Sequence, residues 1–271
     1  MSIAERIEVE APLLESRDEH GVLRLTLNRP AARNALSMAL TAALSDALKR
    51  AGSDRQSRVV VIAGAGPGFC AGHDLRELRS DANSPGREAA HRRAFDASSE
   101  LMQTIVRLPK PVIAEVHGIA TAAGCQLVAS CDLAVAAEDA GFATPGVNIG
   151  LFCSTPMVAL TRAVGRKAAM EMLLTGDLID AATAKSLGLV NRVVPAAELR
   201  RATDALARQI AGKSAFTVAL GKEAFYRQAE LDLAAAYAYA GETMARNMMA
   251  EDAAEGIDAF IAKRQPVWKD A

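Results

Sequence analysis

The chain lacks an excess of either charge: 31 basic against 32 acidic side chains leave a net charge of -1. There is therefore no overall positive field for nucleic acid and no polybasic anchor for a membrane, so any anionic ligand must be held by a local site. The first sixteen residues, MSIAERIEVEAPLLES, hold four glutamates and no apolar core, so neither a secretory signal nor an acid-poor transit peptide fits. Apolar runs fall short of a membrane span. The four cysteines, Cys70, Cys125, Cys131 and Cys153, have no C-x-x-C spacing, which favours free thiols over a disulfide framework. The expectation is a soluble cytoplasmic protein.

Several catalytic signatures are also missing. The four histidines, His20, His73, His91 and His117, form no H-E-x-x-H pair or cysteine-histidine cluster, so no metal is expected. No G-x-S-x-G elbow or Walker loop occurs. GAGPG (64 to 68) invites a dinucleotide-binding reading, but the G-x-G-x-x-G pattern fails at Phe69 and no helix follows directly.

What is present is 271 residues, 51% hydrophobic, enough for one large domain or two small ones. VLRLTLN (22 to 28) alternates like a half-buried strand. A helix over 37 to 52 follows, with Ser37 as N-cap. RVVVIAG (58 to 64), PVIAEVHG (111 to 118), DLAVAAE (132 to 138) and LVNRVV (189 to 194) read as strands, and 88 to 108 as a helix ending before Pro109. DANSPGRE (81 to 88) reads as a mobile stretch. STPMVALTRAVG, KAAMEMLLTG and DAATAKSLG read as helices ending in glycine. The pattern implies an α/β core over 1 to 197 and a C-terminal helical region over 198 to 271.

FCAGHDL (69 to 75) and ATAAGCQL (120 to 127) both place small residues between a strand and a following segment. Such backbone can leave N–H groups pointing at an oxygen, and the second string also opens a helix with its positive dipole end. Two donors on one carbonyl oxygen would make an oxyanion hole. Two tight turns explain the same strings.

FCAGHDL, PVIAEVHGIATAAGCQLVASCDLAVA, LTRAVGRKAAMEMLLTGDLIDAATAKSLGLVNRVV and FIAKRQPVW resemble the crotonase, or enoyl-CoA hydratase/isomerase, superfamily over nearly the whole chain. NRPAARNALS (28 to 37) resembles its CoA-contacting segment. GFATPGVNIGLFCSTP, with CAGHDL and TAAGCQLVASCD, is similar to one subgroup named by homology rather than by reaction. The resemblance implies a spiral of ββα units, a homotrimer or dimer of trimers, and an acyl-CoA or enoyl-CoA thioester as substrate. Coenzyme A enters as part of that substrate, with no separate cofactor. It implies oxyanion donors at the His73 and Ala123 amides and CoA contacts at Arg29, Arg33, Ala35, Ala71 and Asp74. Lys263, from a neighbouring subunit, would meet a CoA phosphate, with Phe260 nearby.

The chain departs from the hydratases where they carry two glutamates: those places hold Gln126 and Gly146. A glutamine amide does not take up a proton near neutral pH, and glycine has no side chain. General acid-base catalysis is worth about 10² to 10⁴ in rate, so hydration should be slow while binding survives. Substitutes include Glu115 and His117, two apart on one strand, and Cys153, if its pKa were lowered. The side chain of His73 is another, and Asn148 would supply a non-titrating hydrogen bond. Ser154 reads as the N-cap of TPMVALTRAVG, with Pro156 early in that helix. Three readings stand: a crotonase-type thioester enzyme, a catalytically weak CoA-thioester binder, and a nicotinamide-dependent enzyme that binds through GAGPG.

Overall fold

The computed structural model describes residues 11–80 and 86–271. The N-terminal residues read for targeting, up to residue 10, and the DANSPGRE stretch over 81 to 85 lie outside them. The strands are β1 (Leu13–Arg17), β2 (Val22–Leu27), β3 (Val59–Gly64), β4 (Val112–Val116), β5 (Ile119–Thr121), β6 (Leu133–Ala137), β7 (Gly141–Ala143), β8 (Ile179–Asp180) and β9 (Arg192–Val194). The helices are α1 (Met38–Ser53), α2 (Leu75–Ser80), α3 (Arg87–Arg107), α4 (Ala123–Ser130), α5 (Ser154–Ala163) and α6 (Arg166–Thr175). They continue as α7 (Ala181–Leu187), α8 (Leu199–Ala211), α9 (Ala215–Gln228), α10 (Leu233–Met248) and α11 (Glu251–Ile261).

The larger sheet has the order β1-β2-β3-β4-β6-β9, parallel except for the antiparallel β1–β2 pair. A smaller sheet, β5-β7-β8, stands beside it. Twice, as β4, β5, α4 and as β6, β7, α5, the chain lays a strand in the large sheet, a strand in the small sheet and then a helix, the ββα spiral expected above.

The β3 run lacks alternation because both its faces are covered. Val60 and Ile62 enter the larger core with α1, α3 and α4, while Val59 and Val61 enter a second core against Leu206 and Ala207 of α8. Burial of a branched side chain contributes about 1.5 to 3 kcal/mol each, so this strand is a main anchor of both layers.

Ser37 caps α1, its Oγ accepting from Leu40 N–H at 3.2 Å, as its place before the apolar period implied. α6 and α7 end on Gly176 and Gly188 in the left-handed region, but α5 does not. Its last turn closes on Val164, and Gly165 instead precedes α6 with extended backbone.

Parallel strands put the loops after β2, β3 and β4 at one edge of the sheet. The loops after β2 and β3 carry NRPAARNALS and FCAGHDL, and the segment after β4 runs through β5 into α4 as ATAAGCQL, so the topology gathers three strings far apart in the chain.

Candidate active site

The loop after β3 and the turn after β5 are stitched backbone to backbone. Cys70 N–H donates to Ile119 O at 3.1 Å, and Thr121 N–H donates to Cys70 O at 2.9 Å. Thr121 Oγ1 donates to Ala71 O at 3.1 Å. Two glycines permit the approach. A Cβ on Gly124 would stand 2.0 Å from Cys70 O, and one on Gly72 would stand 2.9 Å from Ala122 Cβ.

Ala122, immediately before α4, has φ 49 and ψ -116, a conformation that costs an L residue about 1 to 3 kcal/mol. It is held there by its N–H bond to Ala143 O at 2.9 Å and by accepting from Gln126 N–H at 3.0 Å. The strain aims the Ala123 N–H out of the helix start, where no helical carbonyl can accept it. Among the described residues it has no acceptor. Neither has the N–H of His73, whose neighbours bind Leu36 instead: Gly72 O accepts from Leu36 N–H at 2.7 Å and Asp74 N–H donates to Leu36 O at 3.2 Å. Two unspent donors therefore sit on adjoining backbone, at the positive end of α4.

Asn34 was not singled out by motif reading, yet it organises this edge. Fully buried, it accepts from Arg29 N–H at 2.8 Å and donates from Nδ2 to Ala65 O and Gly68 O, each at 2.8 Å. Its left-handed φ of 55 was the available signal, since asparagine tolerates that region. The glycines of GAGPG serve packing here. A Cβ on Gly66 would meet Pro30 at 2.4 Å, and the next helix, α2, begins only at Leu75.

The structure brings Arg29, Arg33, Ala35, Ala71 and Asp74 together beside the donors. Arg29 donates to Ala35 O at 2.6 Å and to Asp74 Oδ2 at 2.9 Å, and Ala71 N–H donates to Arg33 O at 3.0 Å. Burial works to raise the Asp74 pKa, but hydrogen bonds and the Arg29 charge hold it below the ordinary aspartate value. Phe260 and Lys263 are exposed at the end of α11. The tail beyond them folds back along α11, where Arg264 and the Val267 N–H meet Glu255, and Asp270 reaches Arg58 at the start of β3.

Gln126 is 4% exposed, its buried Oε1 without a hydrogen-bond partner among the described residues; it lines a cavity of 740 Å³ that extends between α3, α4, α5 and α9. Gly146 is buried in a short 3-10 turn, and a Cβ there would stand 2.5 Å from Leu151 O and 2.9 Å from Cys153 Sγ. Its φ is not in the glycine-only region, so space rather than backbone freedom excludes a larger residue.

The other candidate acid-base groups are placed elsewhere. Glu115 turns to the second core, on the face of the large sheet away from α4. There Arg24 donates to it at 2.7 Å and to Asp204 of α8 at 2.8 Å. His117 donates from Nε2 to Gly66 O at 2.8 Å. Asn148 is exposed, its Nδ2 lying over Gly176. Ser154 is the first residue of α5, not its cap; its Oγ donates to Phe152 O, and Cys153 takes the N-cap position without a side-chain bond. Burial pushes the Cys153 thiol up, against the smaller effect of the Gly146 N–H, so its nucleophilicity falls.

A family model described as enoyl-CoA hydratase/isomerase matches residues 17–271. The chain belongs to the enoyl-CoA hydratase/isomerase family. A crystal structure of an enoyl-CoA hydratase from Mycobacterium smegmatis is 56% identical with a TM-score of 0.92, over 96% of this chain and 99% of that one. Human enoyl Coenzyme A hydratase domain-containing protein 3 is 46% identical with a TM-score of 0.90, over 95% of this chain and 100% of that one. The mitochondrial protein of the same name from Rattus norvegicus is 48% identical, over 96% of this chain and 86% of the relative. These are the family and the subgroup that the sequence strings resemble.

Proposed function

We propose that the chain acts on acyl-CoA or enoyl-CoA thioesters, holding the thioester oxygen in an oxyanion hole made by the N–H groups of His73 and Ala123. The observation that carries the reading is the pair of donors without acceptors on interlocked backbone, one of them released by the strained Ala122. Such donors favour charge that develops on oxygen as an enolate forms, and one is worth about 10² to 10³ in rate. The adenine and ribose would lie along Arg29, Arg33, Ala35, Ala71 and Asp74. No separate cofactor is needed, because CoA arrives with the substrate.

A second copy is part of the proposal. In a homotrimer or dimer of trimers, the exposed Lys263 and Phe260 of a neighbour would reach the CoA. The apolar side chains of α10 support association, since that helix buries none of its residues within one chain and exposes Leu233, Tyr237, Met244 and Met248.

A weak thioester binder is the rival reading, and the closed space at Gly146 with the amide at Gln126 favours it for hydration. The cytoplasm is the proposed compartment, in contrast to the mitochondrial name of the rat relative. Among the described residues no helix is long and apolar enough to cross a membrane. The test is a panel of acyl- and enoyl-CoA thioesters, following binding and turnover. Binding without rapid crotonyl-CoA hydration is expected; absence of any thioester binding would sink the reading.

A further inference from the structure

The hydratase glutamates are missing, so the site needs another group if it moves protons. Most titratable side chains near the donor pair are already engaged or held in their neutral form. Asp74 is ion-paired with Arg29, Glu77 accepts from Met38 N–H at 2.9 Å, and His91 Nε2 lies 3.0 Å from Leu78 O. Burial pushes Cys70 and Cys125 up to about 12. Glu115 is on the far face with Arg24, and the carboxylate of Asp132 is bound by Lys222 and Tyr226 at the opposite edge.

One group differs. The Nε2 of His73 is buried with no hydrogen-bond partner among the described residues, and its ring meets Phe95 edge to face with centroids 5.4 Å apart. His73 is also among the residues that line a 280 Å³ cavity between α1, α2 and α3. A buried imidazole nitrogen without a partner is costly unless something completes it in use.

We propose that the His73 imidazole is the proton-transfer group of this site, acting on the carbon next to a thioester carbonyl whose oxygen rests on the His73 and Ala123 amides. This rests on the thioester reading above. With the ring proton on Nδ1, the Nε2 lone pair takes the α-proton. The C–H electron pair becomes the enolate double bond, and the negative charge moves to the oxygen under the two N–H groups. The imidazolium returns the proton to the same or a neighbouring carbon, so no further reactant is consumed. One residue thus supplies the oxyanion donor from its backbone and the base from its side chain.

Burial holds His73 below the ordinary histidine value of 6.5, because desolvation disfavours the imidazolium. The charged or titratable groups around the cavity are Asp74 and Glu77 beside and on α2, and His91 on α3; Met38 and Thr41 of α1 and the preceding Leu36 line it without charge. The base form is therefore present at neutral pH and is lost as pH falls through the lowered value.

The experiment follows exchange of the α-hydrogens of butyryl-CoA in deuterium oxide by the full chain, from about pH 5 to about pH 9, the span in which histidine titrates. Exchange is expected to be level at neutral pH and to fall below 6.5. H73Q should lower it about 10² to 10⁴-fold and remove the acid limb, with butyryl-CoA affinity kept because the backbone donor remains. Unchanged exchange in H73Q would overturn the proposal. If H73Q does not fold, the unmodified chain still decides: bound butyryl-CoA without exchange, or exchange without the acid limb, rejects His73. No binding of butyryl-CoA by the unmodified chain would reject the thioester reading itself.

Discussion

Gly72 lies so close to the start of α4 that a Cβ on it would stand 3.4 Å from the Ala123 nitrogen. Its φ of 99 adds a backbone reason for glycine, since L residues rarely occupy that region. G72A should destabilise the chain by about 1 to 3 kcal/mol and separate the two free N–H groups. Urea unfolding and acyl-CoA affinity measure both, and a stable variant with full affinity would show that the contact is not needed.

A glutamate should be tolerated in place of Gln126 and refused in place of Gly146. Q126E keeps the shape of the side chain, and its carboxyl is expected to stay protonated more than usual in so buried a place. G146E must displace Leu151 O, a backbone atom, as well as Cys153 Sγ, so it should be destabilised by about 1 to 3 kcal/mol or more. C153A should not rescue it. Urea unfolding of the three variants, with crotonyl-CoA hydration, provides the check; a stable, rapidly hydrating double variant would refute the steric argument.

Arg24 and Glu115 form a buried pair, 5% and 8% exposed, and Arg24 also holds Asp204. E115A leaves the guanidinium with one partner, and breaking a buried pair typically costs about 3 to 5 kcal/mol. The expected result is a large fall in stability with thioester turnover unchanged while the chain is folded. Lost turnover without lost stability would return Glu115 to the acid-base candidates.

Lys222 anchors α9 to the sheet edge. Its Nζ donates to Ile105 O and Lys110 O, each at 2.9 Å, and to Asp132 Oδ2 at 2.7 Å. K222M removes all three bonds and leaves Asp132 with the Tyr226 hydroxyl and the Val112 N–H. A loss of about 3 to 5 kcal/mol is expected. Hydrogen exchange should show earlier opening of α9 than of β3; uniform protection would contradict that anchoring role.

All four cysteines are buried free thiols. A thiol reagent should therefore react slowly with the folded chain and label four sites after unfolding. Rapid labelling of Cys153 in the native state would mean that its surroundings lower its pKa, contrary to the burial found here.

Sequence reading located the main strands and the capped α1 because these depend on neighbours in the chain. Periodicity, a serine before an apolar run and glycines at turns are local signals. β1, β5, β7 and β8 were not foreseen, as two- to five-residue strands are defined by their partners across a sheet rather than by their own pattern. Ser154 shows the limit for caps: the chemistry of the residue was right, but the helix starts one residue earlier than its hydroxyl could serve.

By itself the sequence determined the family and the alternation of strands and helices, since each is a matter of residue identity and order. Only the tertiary structure decided which face each group meets. Glu115 and Ala123 are close in the chain but lie on strand and helix of different layers, so the carboxylate meets Arg24 beside α8 while the Ala123 N–H opens α4. The space at Gly146 is closed by Leu151 and Cys153, and the His73 Nε2 is left without a partner among the described residues, because packing between separate segments sets both.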